Sequence, residues 1–272
     1  MSCMSVQSVC GARNLKKDYG FIVGGNEAPA HSWPWAVAVY TGSGSSFHNY
    51  KFVCGASVIS ERYVLGAAHC VSHNSRVAKP ETIRLLIGAH DRRYEGVYHR
   101  VQRIFVHKLY DERLMQNDIA LYKLAEPINF NKTSNIAPVC LPDSHWHQRD
   151  YTNQMVQLVG WGTTSAGGRT SDILRQVQVP IITNKDCARS YNALMVTSKQ
   201  MCAGYAAGKR DSCQGDSGGP MTMQLDGREG RYVQIGITSW GKGCAEPKYP
   251  GVYTKVSYYI DWIQSNTNNV ND

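Results

Sequence analysis

Short apolar runs broken by polar turns dominate the chain from residue 33 onward. Trp35–Tyr40, Phe52–Ile59, Tyr63–Leu65, Ile83–Ile87, Val101–Val106 and Ile119–Leu124 each read as a strand, with Gly, Asn and Ser clusters between them. A crossing follows from Pro127 to Pro142. Its Ala137-Pro138-Val139-Cys140-Leu141-Pro142 is too rich in proline for regular structure, because proline fixes φ and lacks an N–H. Strand runs resume at Met155–Val159, Leu174–Ile182, Tyr232–Ser239 and Gly251–Val256. Many short strands with frequent turns predict an antiparallel barrel or sandwich. At the end the period changes. Val256, Ile260 and Ile263 share one helical face, which predicts a short amphipathic helix over 256–266.

Composition sharpens this picture. A chain of 272 residues can bury one large core or two compact ones, and 25 glycines with 42% hydrophobic residues suit a turn-rich β protein. No run of about 18 apolar residues occurs, so no membrane-spanning helix is expected. Met1-Ser2-Cys3-Met4-Ser5 is too polar for the apolar core of a secretory leader. Nine cysteines without C-x-x-C pairs nevertheless point to disulfides and a secreted, extracellular protein, against the alternative of a cytosolic enzyme with buried thiols. The sequon Asn131-Lys132-Thr133, a candidate glycosylation site at Asn131, agrees with that location. Net charge is +8, but the longest basic cluster is a pair, so nucleic-acid binding is not expected. Residues 1–21 are polar and read as a tether or pro-segment preceding the main domain, 22–272.

The chemistry centres on Asp211-Ser212-Cys213-Gln214-Gly215-Asp216-Ser217-Gly218-Gly219-Pro220. A serine hydroxyl is a poor nucleophile unless a base takes its proton and donors hold the oxyanion it creates. Glycines at 215, 218 and 219 let backbone N–H groups converge on one spot. Such a string alone is as often an ordinary turn. Two upstream stretches decide between these readings: Ala67-Ala68-His69-Cys70 and Asn117-Asp118-Ile119-Ala120-Leu121. Histidine, aspartate and serine in that chain order are one known arrangement of base, orienter and nucleophile.

On these motifs, and on Ile22-Val23-Gly24-Gly25, the chain resembles the trypsin-like serine proteases of the chymotrypsin fold over about nine-tenths of its length. The resemblance implies an all-β fold. Two six-stranded antiparallel barrels, roughly 22–135 and 136–255, would flank a catalytic cleft, with a short C-terminal helix behind. It implies catalysis by His69, Asp118 and Ser217, with an oxyanion hole made by the N–H groups of Gly215 and Ser217. Asp211 would lie at the base of the primary pocket, whose walls would be Ser239, Trp240, Gly241 and Gly251, and would select Arg or Lys by charge. Cleavage between Phe21 and Ile22 would free an ammonium to pair with Asp216. The implied disulfides are Cys54–Cys70, Cys187–Cys202, Cys213–Cys244 and Cys10–Cys140. Cys3 is left free, exchanging with Cys10, or bonded to another chain.

Departures from the family pattern carry information too. Gly66 stands where Ser or Thr is common. The stretch Val71–Thr82 after His69 is longer than in the shortest members and would border the cleft. Ala89-His90-Asp91-Arg92-Arg93-Tyr94-Glu95 lacks the acidic set of the family's calcium loop, and Pro250 replaces the Tyr of sodium-activated relatives. No metal and no cofactor are therefore expected. Phe21 replaces the usual basic residue before the activation bond, which resembles arthropod clotting-factor proteases of the horseshoe-crab type. The expected function is thus a secreted zymogen that cuts proteins after Arg or Lys in a clotting or innate-immune cascade. Its expected partners are protein substrates, protease inhibitors and a regulatory or polysaccharide-sensing subunit. The competing reading is a catalytically silent binding protein on the same fold.

Overall fold

The computed structural model describes residues 10–13, 25–44, 46, 49–163, 167–191, 195–208, 215–225, 230–243 and 246–268. Its first half builds strands β1 (Asn26–Glu27), β2 (Ala36–Thr41), β3 (Lys51–Val58), β4 (Tyr63–Gly66), β5 (Ser72–His73), β6 (Arg76–Val77), β7 (Ile83–Ile87), β8 (Val97–Val106) and β9 (Ala120–Leu124). Strands β2, β3, β4, β9, β8 and β7 close into an antiparallel barrel. Runs such as Ala36-Val37-Ala38-Val39 and Leu85-Leu86-Ile87 are buried along their length, so both faces of these strands are covered. Barrel closure removes the sheet edges that would otherwise expose unpaired backbone groups.

The second half adds β10 (Met155–Gly160), β11 (Arg175–Ile182), α1 (Asn184–Ser190), β12 (Gln200–Ala203), β13 (Pro220–Gln224), β14 (Tyr232–Trp240), β15 (Gly251–Lys255) and α2 (Ile260–Thr267). Strands β11, β10, β13, β14, β15 and β12 form the second six-stranded barrel, closed by the β11–β12 pairing, while β1 lies against β11 from outside. The predicted fold class is the one observed.

Several elements were not legible in the hydrophobic pattern. β12 and β13 are four and five residues long, and β13 begins on a proline. β8 starts at Val97, earlier than its apolar run, because Val97-Tyr98-His99-Arg100 pairs with β7 while remaining largely solvated. α1 has seven residues, too few to display a helical period; Thr183 caps it by accepting the Asp186 N–H at 3.0 Å. At the C-terminus a 3-10 turn, Val256–Tyr259, precedes α2, so the predicted helix begins as a tighter coil.

A buried cluster joins the barrels. Leu65, Ala67, Ile119 and Leu121 from the first pack with Ile237 from the second and with Val256, Tyr259, Ile260 and Ile263 from the C-terminal coil. Ser57 on β3 donates to the side-chain oxygen of Gln234 on β14 within the same seam. The N-terminal residues 10–13 are seated rather than loose. Cys10 is bonded to Cys140, the Gly11 N–H donates to Pro138 O at 2.8 Å, and Arg13 lies 4.0 Å above the Trp33 ring.

Candidate active site

The candidate histidine stands on a single 3-10 turn, Ala68–Cys70, directly after β4. Asp118 precedes β9, the strand that pairs with β4, so barrel register alone brings the two together. The His69 Nδ1 lies 2.8 Å from Asp118 Oδ2, and the His69 backbone N–H donates to Oδ1 at 2.9 Å. Two donors aimed at one carboxylate fix both the ring and the turn that carries it.

Asp118 is completely buried, and its remaining partners come from the second barrel. The Ser239 hydroxyl on β14 donates to Oδ2, and the Thr254 hydroxyl on β15 donates to the Asp118 carbonyl at 2.8 Å. Asn117 adopts a left-handed conformation, φ 53°, and accepts from the Tyr259 hydroxyl and from Lys199 Nζ, each at 3.1 Å. Asparagine tolerates that conformation better than most residues. Ser239 was expected only as a pocket wall. The roles of Thr254 and Asn117 had no sequence signal beyond their neighbours.

These contacts set the charges. Burial opposes the charged form of His69, but the Asp118 carboxylate and its hydrogen bond outweigh burial and raise the imidazole above its ordinary value of 6.5. Burial likewise pushes Asp118 upward. The His69 charge and the bonds from His69 and Ser239 prevail, so the carboxyl is held below its usual range.

Ser217 sits in a turn wedged between the barrels. Its carbonyl accepts the Gly55 N–H at 2.7 Å, and Gly218 N–H donates to Thr238 O at 2.7 Å. Gly218 has φ 78°, and a β-carbon there would fall 2.5 Å from Gly55 O and 3.1 Å from Cys70 Sγ. A side chain at 218 would therefore push the serine turn off the histidine segment. Among the described residues, nothing accepts the N–H of Gly215 or of Ser217. Two unengaged amides beside a serine are what an oxyanion site requires.

Asp216 turns the other way. Its Oδ1 accepts the Gly162 N–H at 2.8 Å, and β-carbons on Gly160 or Gly162 would fall 2.2 and 2.4 Å from its carboxylate atoms. Both glycines escaped the sequence reading. Phe21, Ile22 and Asp211 lie outside the described residues, as do Cys3, Cys213 and Cys244. Of the residues expected as pocket walls, Gly241 and Gly251 face each other, a β-carbon on Gly241 lying 3.8 Å from Gly251 Cα. Trp240 packs against Tyr191 with ring centroids 4.8 Å apart.

Three of the expected disulfides are present: Cys10–Cys140, Cys54–Cys70 and Cys187–Cys202. Cys54, His69 and Cys70 cluster closely enough to suggest a metal site. Both sulfurs are committed to the disulfide, so no thiolate is available to a metal. In the 89–95 loop, Asp91 is held down to about 2 by its hydrogen bond from Arg93, and Glu95 accepts the His90 N–H at 2.8 Å. Asn131 is exposed on a short 3-10 turn.

A family model described as Trypsin matches residues 22–263. The chain belongs to the trypsin family. This trypsin-like serine protease is 35% identical to the clotting factor G beta subunit of Tachypleus tridentatus, over 90% of this chain and 79% of that protein. It is 41% identical to trypsin-1 of Astacus astacus, over 90% of this chain and 99% of the crayfish enzyme. The proclotting enzyme of Tachypleus tridentatus is 37% identical over 95% of this chain and 69% of its own length. In this protease no helix among the described residues is long and apolar enough to cross a membrane.

Proposed function

We propose that this trypsin-family chain is the zymogen of a secreted endopeptidase that cuts after Arg or Lys in a clotting or innate-immune cascade. The observation that carries the reading is the buried Asp118 carboxylate, 2.8 Å from His69 Nδ1, beside a glycine-bounded turn presenting Ser217.

Asp118 keeps the proton on Nδ1, so Nε2 carries its lone pair toward the cleft. Ser217 Oγ attacks the scissile carbonyl carbon while Nε2 takes the hydroxyl proton. The carbonyl oxygen becomes an anion held by the Gly215 and Ser217 N–H groups. Each such donor is worth about 3–4 kcal/mol in the transition state. Collapse expels the amine, which takes the proton from Nε2. Water then attacks the acyl carbon as Nε2 takes its proton. Collapse breaks the bond to Ser217 Oγ, which recovers that proton from Nε2 as the acid leaves.

Arg/Lys selection is assigned to Asp211, with Ser239, Trp240, Gly241 and Gly251 as walls. The facing glycines leave width for a long side chain. Activation is assigned to cleavage at Phe21-Ile22, after which the new ammonium pairs with Asp216. An Asp211 pocket would bury its carboxylate unpaired against the Phe21 ring, so self-activation is slow. A chymotrypsin-like partner or a regulatory, polysaccharide-sensing subunit would supply the cut. The names of the two Tachypleus relatives support a clotting role.

The test incubates the zymogen with trypsin, chymotrypsin or neither, then reads the new N-terminus, phosphonate labelling of Ser217 and hydrolysis of arginyl and lysyl amides. No labelling after cleavage before Ile22 would favour a silent binding protein. Full activation by trypsin with Ile22 at the terminus would defeat the Phe21 argument. Unchanged Arg preference in Asp211→Ser would defeat the pocket assignment.

A further inference from the structure

The segment that follows His69 borders that histidine across a cavity the catalytic assignment does not use. Asn74 and Ser75 join β5 to β6 with φ 51° and 59°. Two positive φ values in a two-residue loop match the twist of a tight hairpin. Pairing sets His73 opposite Arg76 and Ser72 opposite Val77. The hairpin is pinned to the chain leading into Asp118. Glu112 accepts the Asn74 N–H at 2.8 Å and pairs with His73 Nδ1 at 2.7 Å.

Between His69 and Thr82 this segment encloses an open cavity of ≈ 440 Å³, walled in part by His69, His73, Arg76, Val77 and Lys79. No carboxylate lines it. Arg76 and Lys79 are exposed, and among the described residues neither forms an ion pair. Glu112, the acid that touches the hairpin, is already engaged by Asn74 and His73.

Which half of a substrate would meet this wall follows from the chemistry. The side chain before the cleaved bond enters a pocket built from β14 and β15 of the second barrel. The leaving amine takes its proton from His69. The residues beyond it therefore depart across the first barrel, past the Cys54–Cys70 bridge and the hairpin. We propose that the 71–79 hairpin forms a subsite selecting acidic side chains in the first three residues after the cleaved bond, read by Arg76 and Lys79. This rests on the endopeptidase reading above and names the substrate class it serves: proteins whose Arg or Lys bond is followed by Asp or Glu.

The experiment uses the activated enzyme at a concentration fixed by active-site titration. Internally quenched peptides share one arginyl half and carry Asp, Asn or Lys at each of the three following positions. An arginyl p-nitroanilide, which has no residues beyond the bond, is run in parallel. Two solvent-exposed ion pairs should raise kcat/KM for the acidic peptides about fivefold over the neutral ones. The ratio should shrink as salt is raised. It should fall to about one in Arg76→Ala/Lys79→Ala and favour the Lys peptides in Arg76→Glu/Lys79→Glu. Equal rates on acidic and neutral peptides by the wild-type enzyme, with the anilide cleaved normally, would overturn the subsite. Retention of the acidic preference in the double alanine variant would overturn the residues assigned to it. If the wild-type enzyme cleaves neither the anilide nor any peptide, the endopeptidase reading fails and the subsite fails with it.

Discussion

Gly162→Ala tests whether the serine turn is positioned through Asp216. The added β-carbon would sit 2.4 Å from Asp216 Cγ and Oδ2 and 2.6 Å from Oδ1. Ordinary van der Waals contact begins about an ångström farther out, so either the carboxylate or the 160–162 backbone must move by roughly that much. Either movement breaks or strains the 2.8 Å bond from Gly162 N–H to Oδ1. Asp216 is adjacent to Ser217, and its carbonyl accepts the Gly219 N–H at 2.8 Å, so the displacement passes to the proposed nucleophile and both candidate oxyanion donors. An ångström of misplacement costs on the order of 10²-fold in rate, and loss of one donor about 10²–10³-fold. The stability cost of overpacking is about 1–3 kcal/mol, less than the roughly 5–15 kcal/mol that holds a domain folded. The variant should therefore remain folded, with Tm lowered about 2–4 °C per kcal/mol, while kcat/KM falls by at least about a hundredfold. Both are measured on the activated enzyme, by calorimetry and by hydrolysis of an arginyl amide. A folded variant whose kcat/KM stays within about threefold of wild type would refute the coupling.

Three further outcomes are expected. Since Asp118 outweighs burial and raises the His69 pKa above 6.5, the neutral imidazole that the proposed base requires predominates only above that raised value. Activity should fall as pH drops through it, and a kcat/KM profile with its acid limb below 6.5 would contradict the geometry. Cys10→Ser opens a link spanning 130 positions, worth about 5 kcal/mol by chain entropy; calorimetry should show a lower Tm, and the short chain should separate from activated enzyme on a non-reducing gel. Gly66→Ser should destabilise by about 1–3 kcal/mol, because a β-carbon there falls 3.0 Å from Tyr122 Cε2, and Gly66→Ser/Tyr122→Leu should recover most of the loss in a denaturation cycle.

The Gly66 case separates two kinds of information. As a sequence feature it was a departure from the family pattern with no cause. The structure supplies the contact: a β-carbon at 66 would lie 3.0 Å from Cε2 of the fully buried Tyr122 ring on β9, which would have to give by a few tenths of an ångström to admit Ser or Thr. No local pattern could connect positions 66 and 122, since the strand pairing that brings them together is set by barrel register.

By itself the sequence determined a turn-rich antiparallel β protein and the separated motifs around His69, Asp118 and Ser217, each a local pattern or a motif carried whole within a few residues. The two-barrel fold and the cysteine pairs came with the family resemblance those motifs carry, since Cys10 and Cys140 stand 130 positions apart. Tertiary structure alone decided what surrounds the motifs. Ser239 and Thr254 reach Asp118 from the opposite barrel, Gly160 and Gly162 leave room for Asp216, and Glu112 holds the hairpin after His69. Those partners are 38 to 136 positions apart in the chain. A buried carboxylate must find donors wherever closed barrels place them, and a glycine is required only where another segment arrives. Neither condition leaves a mark in the residues next to it.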